Sequence, residues 1–102
     1  MIKTIEYDEA LRAYMKKKGR TTIVVEVVSS QSSDFDFTEL RVHLIPDSHV
    51  SHYKERLQYR AVRGELGEVL LPPYKLEYDE TLSFSLGSFW VFHWVKYTGV
   101  RL

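Results

Sequence analysis

The sequence contains no cysteine. Without thiolates the chain cannot form disulfides, nucleophilic cysteine sites, cysteine-based zinc fingers or iron–sulfur clusters held by protein thiolates. It also has no excess of charge, because 14 basic residues balance 14 acidic ones. Proteins that bind nucleic acid through its phosphates usually carry a basic excess, which is missing here. We therefore expect neither thiolate chemistry nor a nucleic-acid partner.

Long apolar segments are also missing. No run approaches the roughly 20 residues that span a bilayer, and Met1–Glu6 lacks the apolar core of a signal peptide. A hydrophobic content of 44% with 27% charged residues is ordinary for a globular protein, and there is no repeat, linker or low-complexity segment. These features predict a single domain over residues 1–102, in the cytoplasm and without membrane contact.

Aromatic residues are abundant and reach their highest density near the end of the chain. The segment Phe89–Tyr97 contains both tryptophans. As one continuous strand it would place Trp90, Phe92 and Trp94 on one face, while the other face would also be mostly apolar. A half-exposed strand alternates apolar with polar residues, so this strand needs cover on both sides. The pattern predicts that Trp90, Phe92 and Trp94 help bury a homodimer interface or the surface of a protein partner.

The one helix that the sequence predicts runs from Tyr7 to Lys18. Its apolar residues recur at helical spacing, with acidic residues in the first turn and lysines in the last. Gly19 follows as the expected stop.

Five further strands are predicted from β-branched or alternating segments bounded by turn residues. They are residues 21–28, 37–45, 57–62, 68–71 and 81–86, with a helical turn at 50–54 and a polar loop at 29–34. The fold class predicted is α+β, mainly antiparallel β-strands with one N-terminal helix.

This order of helix, glycine, β-branched strand, small-residue loop and second strand resembles that of the HesB-like family, to which the A-type iron–sulfur carriers belong. In that family the loop after the first long strand reads like Gly-Gly-Cys-Ser-Gly-Phe, and the matching segment here is residues 30–35, Ser-Gln-Ser-Ser-Asp-Phe. Residues 67–73 and 81–86 are similar to two later strands of the family. The ending, residues 87–102, resembles that of a small bacterial HesB-related group with adjacent cysteines or a selenocysteine in the loop.

The resemblance implies a HesB-like fold over the whole chain, but it does not carry the family's activity with it. Ser32 and Ser33 stand where the family has its cluster-binding cysteine loop, and a neutral hydroxyl cannot replace a thiolate on iron. The first hypothesis is therefore a non-enzymatic binding or interaction protein that has lost iron–sulfur cluster binding.

A second hypothesis is a metal-binding accessory protein that acts in iron–sulfur or metal handling. His49 and His52 are three residues apart and would share one face of a helical turn, with Asp47 nearby. Two imidazoles and a carboxylate suit zinc or a related divalent ion, and His43 or Glu55 could add a ligand. The alternative is a polar connection with two solvent-exposed histidines.

An enzyme is the weakest hypothesis. His93 has the chemistry of a general base, but no nucleophile can be paired with it, and a packed histidine is the alternative. The serine loop at 29–34 lacks the glycines of a nucleophile elbow and the ligand spacing of a calcium loop. The sequence therefore predicts no catalytic residues and no cofactor.

Overall fold

The computed structural model describes residues 2–31 and 36–102. The chain is α+β, with seven strands and one α-helix among these residues. They are β1 (Thr4–Tyr7), α1 (Glu9–Lys18), β2 (Thr22–Gln31), β3 (Asp36–Ile45), β4 (Arg60–Arg63), β5 (Glu68–Leu71), β6 (Glu77–Phe89) and β7 (Phe92–Arg101). Two short helical turns, a 3₁₀ turn at Asp47–His49 and a π-helical turn at His52–Arg56, lie between β3 and β4. None of the described helices is long and apolar enough to cross a membrane.

The strands form two mixed sheets. A three-stranded sheet has the order β1-β6-β7, and a four-stranded sheet has the order β3-β2-β5-β4. Most neighbours are antiparallel, as predicted, but β1 pairs with β6 and β2 pairs with β5 in parallel. The sequence analysis missed β1, because Thr4–Tyr7 is too short to show a clear period. A fold class with one N-terminal helix is also too simple, since two short helical turns follow β3. The helical turn predicted at 50–54 overlaps the second of them.

The main core lies between the two sheets. The three-stranded sheet contributes Leu82 and Phe84, and the four-stranded sheet contributes Ile23 and Val25, all almost fully buried. Helix α1 adds Leu11 and Met15 to the same cluster. Because these side chains alternate with others along each strand, only one face of each sheet is buried in this core.

A second, smaller core covers the opposite face of the four-stranded sheet. Val24, Ile45 and Leu70 are buried there against Val50, Tyr53 and Tyr59 of the segment that connects β3 to β4. The four-stranded sheet is therefore covered on both faces. This explains the nearly continuous apolar runs of β2 and β5, which are typical of strands buried on two sides.

Helix α1 confirms most of the helix prediction. It begins at Glu9 rather than Tyr7, because Asp8 is the N-cap and its side chain accepts a hydrogen bond from the backbone N–H of Leu11 at 2.8 Å. Tyr7 instead ends β1. Gly19 ends the helix at φ 65°, in the left-handed conformation that glycine adopts without strain.

The predicted strands match the observed ones in their central residues, but several predicted strand boundaries are wrong. The strands predicted at 21–28 and 37–45 form the antiparallel β2–β3 pair, and Leu40, Val42 and Leu44 contact the main core. Strand β2 continues to Gln31, so the polar loop begins later than Ser29, and Ser32 and Ser33 lie outside the described residues. The strand predicted at 57–62 begins only at Arg60, because helical turns occupy more of the preceding segment.

The largest error concerns the aromatic segment near the C-terminus. It is not one strand: β6 extends through Gly87 and Ser88 to Phe89, the chain turns at Trp90 and Val91, and β7 begins at Phe92. The strands predicted at 81–86 and from Phe89 onward left Gly87-Ser88 as the break between them, since glycine and serine favour turns. In the structure Gly87 is a strand residue, and Trp94 of β7 occupies the space above it.

Candidate interaction surface at the β6–β7 hairpin

Strands β6 and β7 form a hairpin with an apolar tip. The last cross-strand pair is Phe89 and Phe92, so only Trp90 and Val91 connect the strands. These four consecutive side chains are all solvent-exposed, and Trp90 and Val91 have relative exposures of 85% and 81%. Single exposed apolar residues are normal on a protein surface, whereas a contiguous apolar patch marks an interaction site.

The backbone of Trp90 is in an unusual conformation. Its φ is 58°, while Val91 is not among the described residues with positive φ. Positive φ at only the first of two turn residues is the pattern of a type II′ turn, which has glycine at that position in most hairpins. A bulky residue there is strained, and such strain is concentrated at functional sites. The tip therefore presents an indole to solvent at a position where the backbone favours glycine.

Trp94 extends the apolar surface from the tip along the outer face of the three-stranded sheet. Gly87 lies opposite Trp94 in the register, and a Cβ placed on Gly87 would come within 2.4 Å of the indole ring. The ring thus covers the glycine backbone, and close approach of an aromatic ring is a common reason for glycine inside a strand. The side chain remains 48% exposed.

The rest of the outer face is polar. Glu6, Ser83 and Thr98 lie in one row across the three strands, and Lys96 pairs with Ser85 nearer the tip. Ser83 donates a hydrogen bond from its hydroxyl to Glu6 Oε1 at 3.2 Å. Neither Glu6 nor Lys96 forms an ion pair within the described part of the chain.

A separate cluster of titratable residues lies on the outer face of the four-stranded sheet. Glu26 Oε1 accepts a hydrogen bond from the Tyr53 hydroxyl at 2.7 Å and also contacts His43 Nε2. The Tyr53 ring meets Tyr59 edge to face, with 5.0 Å between ring centroids. Burial, followed by the hydrogen bond and the charge of Glu26, raises the pKa of Tyr53 far above its usual value. Burial and the same charge raise the pKa of Tyr59 to about 12.

The contacts of this cluster indicate a structural role. Tyr53 belongs to the connecting segment, whereas Glu26 and His43 belong to the sheet, so the shared carboxylate joins the two layers. Lys54 makes a second connection, since its Nζ lies 2.7 Å and 2.8 Å from the two carboxylate oxygens of Glu68 on β5. We call the residues Glu26, His43 and Tyr53 the clasp, because they hold the connecting segment against the sheet. Sequence reasoning missed the clasp; its only signal was a glutamate within the apolar strand β2.

The proposed metal ligands are placed on the same connecting segment. Asp47 and His49 are in the 3₁₀ turn and His52 begins the π-helical turn, and all three are exposed. Across residues 2–31 and 36–102 there is no group of three His, Cys, Asp or Glu side chains that could hold a metal ion. The metal hypothesis has no geometric support from this part of the chain.

His93 lies near the start of β7 and is exposed, not packed in the core. Its ring stacks on Tyr14 of α1, with 5.0 Å between the centroids, and Lys18 Nζ lies 5.7 Å from the centre of the same tyrosine ring. No local sequence pattern predicts this contact, because it depends on how α1 is placed beside β7.

A groove with a volume of about 690 Å³ runs beside α1. Its floor includes Met15 and Leu66, and charges of both signs line its rim, where Arg12 is already paired with Glu65 at 2.9 Å. The hairpin, and not this groove, is therefore the best candidate for a functional surface.

Comparison with known proteins adds no further information. No family model matches the chain, and no curated protein or solved structure is significantly similar to it.

Proposed function

We propose that this protein is a non-enzymatic interaction module of the cytoplasm that docks onto another protein through the tip of the β6–β7 hairpin. The observation that carries the proposal is the run of four consecutive exposed apolar side chains, Phe89 to Phe92, at a turn with a strained tryptophan. The hairpin is the binding element, and the two-sheet body holds it in place.

The chemistry of the tip supports a protein partner. Tryptophan and phenylalanine are enriched in the buried centres of protein interfaces, and charged residues are depleted there. The tip matches this composition, since no charged residue occurs between Phe89 and Phe92. A rigid two-residue turn also limits the conformational entropy that binding would cost. A partner would cover apolar area that the monomer leaves in water.

We further propose that the chain is a divergent HesB-like protein in which cluster binding has been lost and interaction retained. The absence of cysteine supports the loss, because iron–sulfur clusters need soft thiolate ligands. A purified chain reconstituted with iron and sulfide under reducing conditions should therefore show no cluster absorption in the visible range. A stable cluster at one per chain would contradict this part of the proposal.

Site-specific photo-crosslinking in the native cell tests the docking surface. A photoreactive amino acid replaces Val91, which is at the tip, or Tyr74, which is also exposed but lies in the loop between β5 and β6. We expect discrete cross-linked protein bands from position 91 and none from position 74. The same diffuse pattern from both positions, or no product from position 91, would contradict a docking role for the tip.

A further inference from the structure

We propose that the partner of the hairpin is a second copy of this chain, and that two copies associate through the aromatic end of the outer face of the β1-β6-β7 sheet. This inference rests on the proposed function, since it names the partner of the same surface. The residues that carry it are Phe89, Trp90, Val91, Phe92 and Trp94, which we call the aromatic patch.

The two sheets are covered unequally. The four-stranded sheet has the main core on one face and the connecting segment on the other. Among the described residues, the three-stranded sheet is covered on its inner face alone, by the main core. The side chains on its outer face are exposed or half-buried. Nothing in the described part of the chain covers Trp94 from outside. A second copy would cover the outer face of this sheet, as the connecting segment covers the outer face of the four-stranded sheet.

The exposed area of the aromatic patch also suits a dimer interface. Aromatic side chains bury roughly 150–250 Å² each, so the exposures of the aromatic patch correspond to about 600–700 Å² per copy. Two copies would remove about 1,200–1,400 Å² from water, which falls at the lower end of the range for specific interfaces. The patch alone is thus large enough for a reversible dimer and too small for an obligate one.

The charges of the chain also favour association between identical copies. The chain has no net charge, so two copies do not repel each other as a strongly charged protein would. The outer face contains one acidic and one basic residue, Glu6 and Lys96, that lack ion-pair partners among the described residues. In a two-fold interface each copy presents the same surface to the other, so a face with both signs is complementary to itself.

Sedimentation equilibrium of the full chain over a wide concentration range tests the inference. We expect a reversible monomer–dimer equilibrium. Trp90→Gly should weaken it about 30-fold, because tryptophan anchors at the centre of an interface commonly contribute a factor of this size. Phe92→Ser serves as a second variant at a position with ordinary backbone geometry. Tyr74→Ser, which removes an exposed aromatic outside the patch, is the matched control and should leave the equilibrium unchanged.

Three results would overturn the inference. The first is a chain that stays monomeric at every concentration. The second is a dimer that neither Trp90→Gly nor Phe92→Ser weakens. The third is a monomer that binds vesicles of phosphatidylcholine and phosphatidylglycerol through the patch, which would make the occupant a lipid surface. A monomer that still cross-links to a different protein from position 91 would refute self-association and leave the proposed function standing.

Discussion

Trp90 and Gln58 are the two non-glycine residues with positive φ in the described part of the chain, and Trp90 is the bulkier of the two. A left-handed conformation costs a bulky residue about 1–2 kcal/mol, whereas glycine adopts it freely. The fold of the monomer gains little from the side chain, because it is the most exposed of the large hydrophobic residues in the described part of the chain. The centroid of its ring lies 6.5 Å from that of Phe89, which is itself exposed. The residue therefore reduces the stability of the monomer, which is expected where binding and not folding requires the side chain.

Because the backbone of Trp90 is strained and its side chain adds little packing, its replacement by glycine should stabilise the single chain. Trp90→Gly should raise the free energy of unfolding by about 0.5–1 kcal/mol, because it removes the strain at the cost of more entropy in the unfolded chain. Urea denaturation at low protein concentration measures the change. Val91→Gly is the control, since Val91 is not in the left-handed region, and it should give no gain. Destabilisation by Trp90→Gly would show that the indole supports the hairpin.

Gly87 gives a second prediction at the residue scale. In Gly87→Ala the new methyl group would come within 2.4 Å of the Trp94 ring, so the half-exposed indole should swing away from the sheet. We expect a red shift of tryptophan emission and a lower free energy of unfolding. In a Trp94→Ala background the same change should cost nothing, because the clash is gone. Equal costs in both backgrounds would mean that the ring does not cover Gly87.

The segment between β3 and β4 is held to its sheet by the clasp, by the Lys54–Glu68 ion pair and by apolar packing. Removing the Tyr53 hydroxyl leaves one acceptor site of Glu26 without its donor. A hydrogen bond to a charged group commonly contributes about 1.5–3 kcal/mol. We expect Tyr53→Phe to lower the free energy of unfolding by about 1.5 kcal/mol, and to speed amide hydrogen exchange in residues 47–59. Tyr74→Phe, at an exposed position, should change neither. No effect of Tyr53→Phe on exchange would contradict the clasp.

The same segment should make the protein sensitive to alkali. The pKa of Tyr59 rises from 10.0 to about 12 on folding, first through burial and then through the charge of Glu26, and the pKa of Tyr53 rises in the same direction. A raised pKa favours the protonated form in the folded state. Its contribution to stability is therefore complete below about pH 10 and is lost as the pH rises through the folded values.

Denaturation curves between pH 8 and pH 12 measure this loss. The free energy of unfolding should fall above about pH 10 in the wild type. The fall should be smaller in Tyr59→Phe, which has no hydroxyl to ionise. A variant with the same alkaline decline as the wild type would show that Tyr59 does not contribute to it.

Sequence patterns predicted the elements that have strong local signals. They failed where tertiary contacts determine the structure. Helix α1 was predicted nearly to its ends, because its cap, stripe and terminal glycine are all local. The hairpin turn was misplaced, because Gly87 looks like a turn residue until Trp94 is seen above it, and Trp90 is a poor turn residue by every local rule. The clasp joins residues 17 and 27 positions apart, which no periodicity reveals.

At the scale of the whole molecule, the α+β class with mostly antiparallel strands was predictable, and the two-sheet arrangement was not. The parallel pairings of β1 with β6 and of β2 with β5 bring distant segments together. The patch residues Trp90, Phe92 and Trp94 were predicted from the alternation of an aromatic-rich segment, and all three are exposed in the single chain. The sequence analysis reached them by assuming one continuous strand, whereas they lie at the turn and first residues of a hairpin.

The central claim is that the aromatic patch is covered when two chains meet. Because Trp90 and Trp94 are the only tryptophans and both belong to the patch, acrylamide quenching of tryptophan fluorescence reports on this surface alone. We predict that the quenching constant decreases as the protein concentration rises, since association removes both indoles from water. A quenching constant that stays high and unchanged across the whole concentration range would contradict the claim.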